Sequence, residues 1–304
     1  MPDHYFGVPG QWSLRQCDNS SCRLLWQDPM VIAEDLVLAY KNYYTVAAPS
    51  SNGSPASVGL TRTFSRLDRL FTRLLRLQPE RDRHANTYLH DTAPGALLDV
   101  GCGSGDFAAH MRRLGWRCQG TEFDPDAARH ARETHGIEVD LGDISQIRYE
   151  DERFDAITAR HVIEHVREPA VFLAECWRIL KPGGRLVLLT PNADSLGHRH
   201  FGPRWRGLEQ PRHLYLFNPT SMQALFERQS IAGADVFSSA QGASYTLNAS
   251  AKTAQGLMQR SIDQCAIWFL QVGETVLTRR GAQVGEDLVV IATKPRGRAA
   301  AAAL

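Results

Sequence analysis

Asp99-Val-Gly101-Cys102-Gly103-Ser-Gly105 places three glycines at alternate positions, the first of them two residues after an aspartate. The apolar run Ala96-Leu-Leu98 before it and the amphipathic run after it mark the place where a buried strand gives way to a helix. Glycines there let the chain turn sharply and let a ligand approach main-chain N–H groups with no Cβ in the way. The spacing is G-x-G-x-G, not the G-x-G-x-x-G usual for dinucleotides. Asp99 would repel a pyrophosphate, but it can accept a hydrogen bond, direct or through water, from an ammonium group. Two further carboxylates end the next two strands. Glu122 closes Gln119-Gly-Thr-Glu122, the position from which a carboxylate reaches both ribose hydroxyls. Asp143, in Leu141-Gly-Asp143-Ile144, can accept from an exocyclic adenine amine.

Acidic groups at three successive strand ends define a ligand with an amine, a ribose and an adenine, and S-adenosylmethionine (SAM) has all three. A second polar concentration runs from 191 to 217. It contains His198, His200, Trp205, Arg212, His213 and Tyr215. A histidine there can take a proton from an acceptor group. His213 is the first candidate and His165, in Val162-Ile-Glu164-His165-Val166, the second.

The elements that must position these groups alternate. Strands are expected at 96–100, 116–122, 137–141, 154–158 and 185–190, with helices at 106–114, 126–133 and 169–180, the last stopped by Lys181-Pro-Gly-Gly184. That order demands a mostly parallel sheet with helices on both faces. Two later strands, near 234–237 and 287–292, complete the far edge. Between them lies an insert, 238–286, with helical runs at 257–260 and 262–277 that suit a lid or a homodimer surface.

Leu98-Asp-Val-Gly-Cys-Gly-Ser-Gly-Asp106 resembles the first motif of class I SAM-dependent methyltransferases. Phe154-Asp-Ala-Ile, Val162-Ile-Glu164-His165-Val166 and Leu180-Lys-Pro-Gly-Gly-Arg-Leu-Val-Leu188 are similar to their fourth-strand and fifth-strand blocks. The likeness covers 94–192 in order. It implies an α/β Rossmann-like fold, a seven-stranded mostly parallel sheet of order 3-2-1-4-5-7-6. It also implies a SAM site made of Asp99, Gly101, Cys102, Gly103, Gly105, Glu122, Phe123, Asp143, Ile144 and Arg160. His161-Val-Ile-Glu164-His165 matches the H-x-x-E-H pattern of inverted zinc proteases, but the surrounding blocks make it the segment after the fourth strand. Trp12 through Tyr44 is similar to a zinc-ribbon arm preceding some bacterial methyltransferases. Only Cys17 and Cys22 are present where that arm has four cysteines, and a structural zinc normally takes four ligands, so zinc would need further ligands, His4 among the candidates.

The bulk numbers agree with an enzyme of this kind. The chain has 304 residues, 43% hydrophobic and 22% charged, and a formal net charge of +1, so no global field draws nucleic acid. The longest apolar run, Cys265–Leu270, is far short of the roughly 20 residues that span a bilayer. The start, Met1-Pro-Asp-His-Tyr5, has no signal-peptide pattern, and the scattered cysteines suit a reducing cytoplasm. The expected organisation is an arm at 1–50, a linker and basic helix at 51–93, a methyltransferase domain at 94–294 with its substrate-side segment at 193–217, and a frayed tail at 295–304. Arg62, Arg66, Arg69, Arg73 and Arg76 stripe the helix opposite Phe64, Leu67, Phe71 and Leu74, a pattern suited to peripheral contact with an anionic membrane. The expected function is methyl transfer from SAM to a hydroxyl of a small sugar-containing or phenolic acceptor. Transfer to carbon or nitrogen, or SAM binding without catalysis, are the alternatives.

Overall fold

The computed structural model describes residues 3, 7–32, 35, 39, 77–253 and 257–296. The Tyr40–Tyr44 cluster, the linker at 49–55, the arginine-striped helix at 62–76 and the end of the tail lie outside those residues. Two short strands, β1 (Leu14–Gln16) and β2 (Leu25–Gln27), come first, and α1 (Gln78–Ala85) leads into the main sheet. Then follow β3 (Ala96–Val100), α2 (Asp106–Arg113), β4 (Arg117–Glu122), α3 (Pro125–His135), β5 (Glu138–Leu141), α4 (Ile144–Ile147) and β6 (Phe154–Arg160). The chain continues through α5 (Pro169–Ile179), β7 (Leu180–Pro191), α6 (Leu196–Phe201), β8 (Tyr215–Leu216), α7 (Pro219–Arg228) and β9 (Asp235–Ser239). It closes with α8 (Ala243–Lys252), α9 (Leu257–Arg279) and β10 (Asp287–Thr293).

The main sheet has seven strands in the order β5-β4-β3-β6-β7-β10-β9. Counted from β3, this is 3-2-1-4-5-7-6, the order expected. β3 to β7 run parallel and β10 runs antiparallel between β7 and β9. Strands buried on both faces read as near-continuous apolar runs. Leu97, Leu98, Ile157, Leu186, Val187, Leu188, Val289 and Val290 are accordingly fully or almost fully buried.

Local chemistry sets the helix ends. Asp124 caps α3 by accepting from the Asp126 N–H at 2.9 Å, and Gly136 ends it in the left-handed region at φ 61°. Asn218 and Ser221 form a reciprocal capping box at the start of α7.

Two expectations shift. Lys181-Pro-Gly-Gly184 does not precede the fifth strand but forms its irregular first part. Gly183, at φ 81°, donates its N–H to the Lys294 carbonyl at 2.7 Å, so β10 pairs past the turn. The β6–β7 register slips between Phe154 and Ala156 to absorb it. In the insert, 257–279 is one continuous helix, because Ser261 between the two expected runs is no breaker, and α8 is an additional helix.

The arm and the substrate-side segment share a second sheet, β1-β2-β8, in which Leu25 faces Leu216. The fully buried Arg212 guanidinium reinforces the join. It donates to Asp3 at 3.2 Å, to the Ala39 carbonyl at 3.1 Å and to Glu209 at 3.1 Å. Among the described residues no helix is long and apolar enough to cross a membrane.

Candidate active site

β3 and β6 are neighbours whose following connections run to opposite sides of the sheet, the switch point where open α/β sheets bind ligands beyond their carboxyl ends. The glycine turn sits there. Gly101 has φ 66°, and a Cβ on it would lie 2.7 Å from Val162 Cγ2; Gly105, at φ 81°, caps α2 and packs against Ala131. Side chains at these two positions would meet both strain and collision.

Asp99 lies beneath the turn with 1% of its surface exposed. Thr158 Oγ1 donates to its Oδ1 at 2.8 Å, while Oδ2 has no hydrogen-bond partner. Burial pushes its carboxyl above the ordinary range, against the opposing pull of Arg160 and Thr158. A buried carboxylate with an orphaned oxygen is costly unless a donor completes it. The ammonium of an amino-acid ligand is such a donor.

Glu122 is also buried. Its Oε1 accepts from the Phe123 and Asp124 N–H groups at 2.9 and 3.0 Å, and its Oε2 from the Gly103 N–H at 2.8 Å. A carboxylate offers about four lone-pair sites, so about one remains for a ribose hydroxyl. Burial raises its pKa against those three donors. Asp143 is exposed and caps α4 through the Ser145 N–H at 2.8 Å. Phe123 is half exposed beside Glu122, and Ile144 is buried. Arg160 stacks its guanidinium 4.0 Å from the centre of the Phe107 ring. Cys102 points inward, where Gly120 leaves it room; a Cβ there would meet its sulfur at 2.5 Å, and burial holds the thiol protonated.

The two candidate bases pack on each other. The rings of His165 and His213 stand edge to face with centroids 4.6 Å apart. His165 Nδ1 lies 3.0 Å from the Arg212 carbonyl and His213 Nδ1 lies 2.7 Å from the Gly207 carbonyl. A carbonyl only accepts, so both imidazoles carry their proton on Nδ1. His213 is buried, and burial, with His165 beside it, drives its pKa well below the usual value. Glu164, fully buried, accepts from Thr190 Oγ1 at 2.9 Å through Oε2. Glu164, His165 and His213 bring their polar atoms within 4.8 Å and together tie the segment after β6 to the substrate-side segment. The backbone bond from the Leu214 N–H to the Glu164 carbonyl, 2.8 Å, does the same.

Cys17 and Cys22 are half-buried in the β1–β2 hairpin, both with free thiols. Among the described residues no third histidine, cysteine or carboxylate joins them, and His4 lies outside those residues.

Four buried polar positions escape motif reading. Thr158 supplies the donor to Asp99, and Asp287, Glu286 and Glu274 line the far side of the strand tips. Only Glu286-Asp287 leaves a trace in the sequence, as two acids opening an otherwise apolar strand.

A family profile described as a methyltransferase domain matches residues 62–230. The chain belongs to this family, the class I SAM-dependent methyltransferases. It is 35% identical over 109 residues to a ubiquinone biosynthesis O-methyltransferase of Xanthomonas oryzae, covering 34% of this chain and 45% of that one. It is 31% identical over 143 residues to the norajmaline N-methyltransferase of Rauvolfia serpentina, covering 44% and 47%. The match thus spans less than half the length of these curated relatives. A SAM-dependent methyltransferase structure from Archaeoglobus fulgidus superposes with a TM-score of 0.49 and 18% identity, covering 74% of this chain and 98% of that one.

Proposed function

We propose that this protein transfers a methyl group from SAM to a hydroxyl of a small sugar-containing or phenolic molecule in the cytoplasm. One observation carries the cofactor half of this reading. The orphaned, buried Asp99 Oδ2 beneath a glycine turn is completed by a ligand ammonium. The acceptor half rests on the family and on relatives named for transfer to oxygen or nitrogen.

Asp99 receives the amino group, and Gly101, Gly103 and Gly105 keep the main chain open to it. Glu122 offers its remaining lone pair to the ribose. Phe123 presents an exposed ring, and Asp143 an acceptor, to the adenine. When bound, SAM supplies an electrophilic methyl carbon on a positively charged sulfur, so the chain's own task is alignment and exclusion of water. The segments at 160–165 and 191–217 do this together, held by the Glu164–His165–His213 brace and by the buried Arg212. Because a hydroxyl loses its proton on methylation, a basic side chain facing the acceptor is also required.

Calorimetric titration of SAM into cofactor-stripped protein tests the reading, followed by transfer of labelled methyl to a panel of sugars and phenols. Saturable binding that Asp99→Asn weakens at least tenfold supports it. Absence of SAM binding by folded protein overturns it.

A further inference from the structure

The segment after β6 carries one histidine that looks outward. His161 has 51% of its side chain exposed, whereas His213 has 5%. Its backbone is held in the left-handed region at φ 55° while its N–H still donates to the Leu189 carbonyl at 2.8 Å. A non-glycine residue there is uncommon and is concentrated at functional sites. The turn lifts the ring off the end of β6, one residue before Val162, which touches the glycine turn at Gly101.

Two buried carboxylates flank the ring. Nδ1 lies 3.5 Å from Glu164 Oε1, an oxygen with no hydrogen-bond partner, and Nε2 lies 3.9 Å from Asp287 Oδ1. Asp287 comes from the antiparallel strand β10 and is itself fixed. His84 Nε2 meets its Oδ2 at 3.3 Å, and the same oxygen presses on Gly242, where a Cβ would lie 2.1 Å away. Arg160 is the cation nearby, and it is drawn over Phe107. The neutral tautomer that carries its proton on Nδ1, the side facing Glu164, leaves Nε2 as the acceptor. Asp287, just beyond hydrogen-bonding range, can stabilise the imidazolium without occupying that position.

We infer that His161 is the proton acceptor of the methyl-transfer site, oriented by Glu164 and electrostatically supported by Asp287. This rests on the hydroxyl-acceptor reading above. In the step, the acceptor O–H bond breaks and its proton passes to His161 Nε2. The same oxygen forms its bond to the methyl carbon, and the electrons of the C–S bond return to sulfur. The imidazolium then loses its proton to solvent, to which the ring is open. Desolvation of the ring edge that faces the protein lowers the His161 pKa, but the contact with Glu164 and the charges of Asp287 and Glu164 outweigh it, and Arg160 opposes them without reversing the result. The group therefore titrates above the ordinary imidazole value, and transfer rises with pH through that point.

His161→Asn is the test variant, because asparagine tolerates a left-handed backbone. Histidine-labelled protein is titrated by NMR, with the His161 signal assigned by its loss in His161→Asn. The inference predicts a midpoint above 6.5 that falls in Glu164→Gln. A midpoint below 6.5, or one unmoved by Glu164→Gln, overturns it. With catechol as the probe acceptor, His161→Asn should bind SAM as the wild type does yet lose about 100-fold or more in kcat, along with the acid limb of the pH profile. Transfer within threefold of wild type would also overturn the inference. If the wild type binds SAM and leaves catechol unmethylated, the phenolic part of the proposed function fails, and the NMR titration alone decides the role of His161.

Discussion

Replacing Glu274 by glutamine should make the protein more stable, and more so as pH rises. Glu274 on α9 is fully buried and neither carboxyl oxygen has a hydrogen-bond partner. Its neighbour Glu286 has 1% of its surface exposed. Glu286 accepts from the Gly197 N–H at 2.9 Å and from Trp205 Nε1 at 2.7 Å, donors that favour its charged form. Burial and the charge of Glu286 drive the Glu274 pKa far up, so the pair retains a proton in the folded state that the unfolded chain releases above pH ~4.3. With the folded pKa raised, stability falls as pH climbs above the unfolded value. The slope is about 1.4 kcal/mol per pH unit for one proton. From pH 5 to 8 this amounts to at most ~4 kcal/mol, and about half of that once local relaxation is allowed. Glutamine keeps the shape and removes the ionisation. Glu274→Gln should therefore match wild type within about 1 kcal/mol at pH 5 and exceed it by about 2 kcal/mol at pH 8, a rise in Tm of roughly 3 °C. Thermal and urea unfolding followed by circular dichroism at pH 5, 6.5 and 8 reads the difference. A variant less stable than wild type at pH 8, or a difference that does not change with pH, would refute the shared-proton argument.

Three further outcomes follow from the same geometry. Asp99→Asn removes a buried charge with an unfilled oxygen, so it should raise Tm while weakening SAM binding at least tenfold, a split that unfolding and calorimetry resolve. Gly101→Ala sets a Cβ 2.7 Å from Val162 at φ 66° and should cost about 1–3 kcal/mol in urea unfolding, with a parallel loss of SAM affinity. Trp205→Phe strips the donor from Glu286 Oε2 and should cost about 1–3 kcal/mol, more at pH 8 than at pH 5, as urea unfolding at the two pH values will show.

The proposed cofactor half of the site is legible in the sequence because it is local. Asp99, the glycine turn and Glu122 are fixed by strand-to-helix junctions, and each junction leaves a spacing that short-range chemistry explains. The strand order was legible through the ordered blocks from 94 to 192. The far side was not, because its residues meet across long separations. Asp287 faces His161 only after β10 has paired antiparallel with β7, and Glu274 reaches Glu286 from the C-terminal part of a 23-residue helix. His161 read as part of a motif, and His213 read as the more promising base. Burial separates them, and burial of a single side chain carries no periodic signal. The Lys-Pro-Gly-Gly segment misled for the opposite reason. Its local turn chemistry is sound, yet Lys294, just past β10, pairs with Gly183 and Gly184 across it.

Calorimetric titration of SAM into cofactor-stripped protein, with Asp99→Asn and Glu122→Ala alongside and NAD as the control ligand, tests the central claim most directly. The account predicts saturable one-to-one binding of SAM, weakened at least tenfold by each substitution, and no heat with NAD. Folded protein that ignores SAM, or that binds it equally well without Asp99, would contradict the assignment of the glycine turn and its buried carboxylate as the cofactor site.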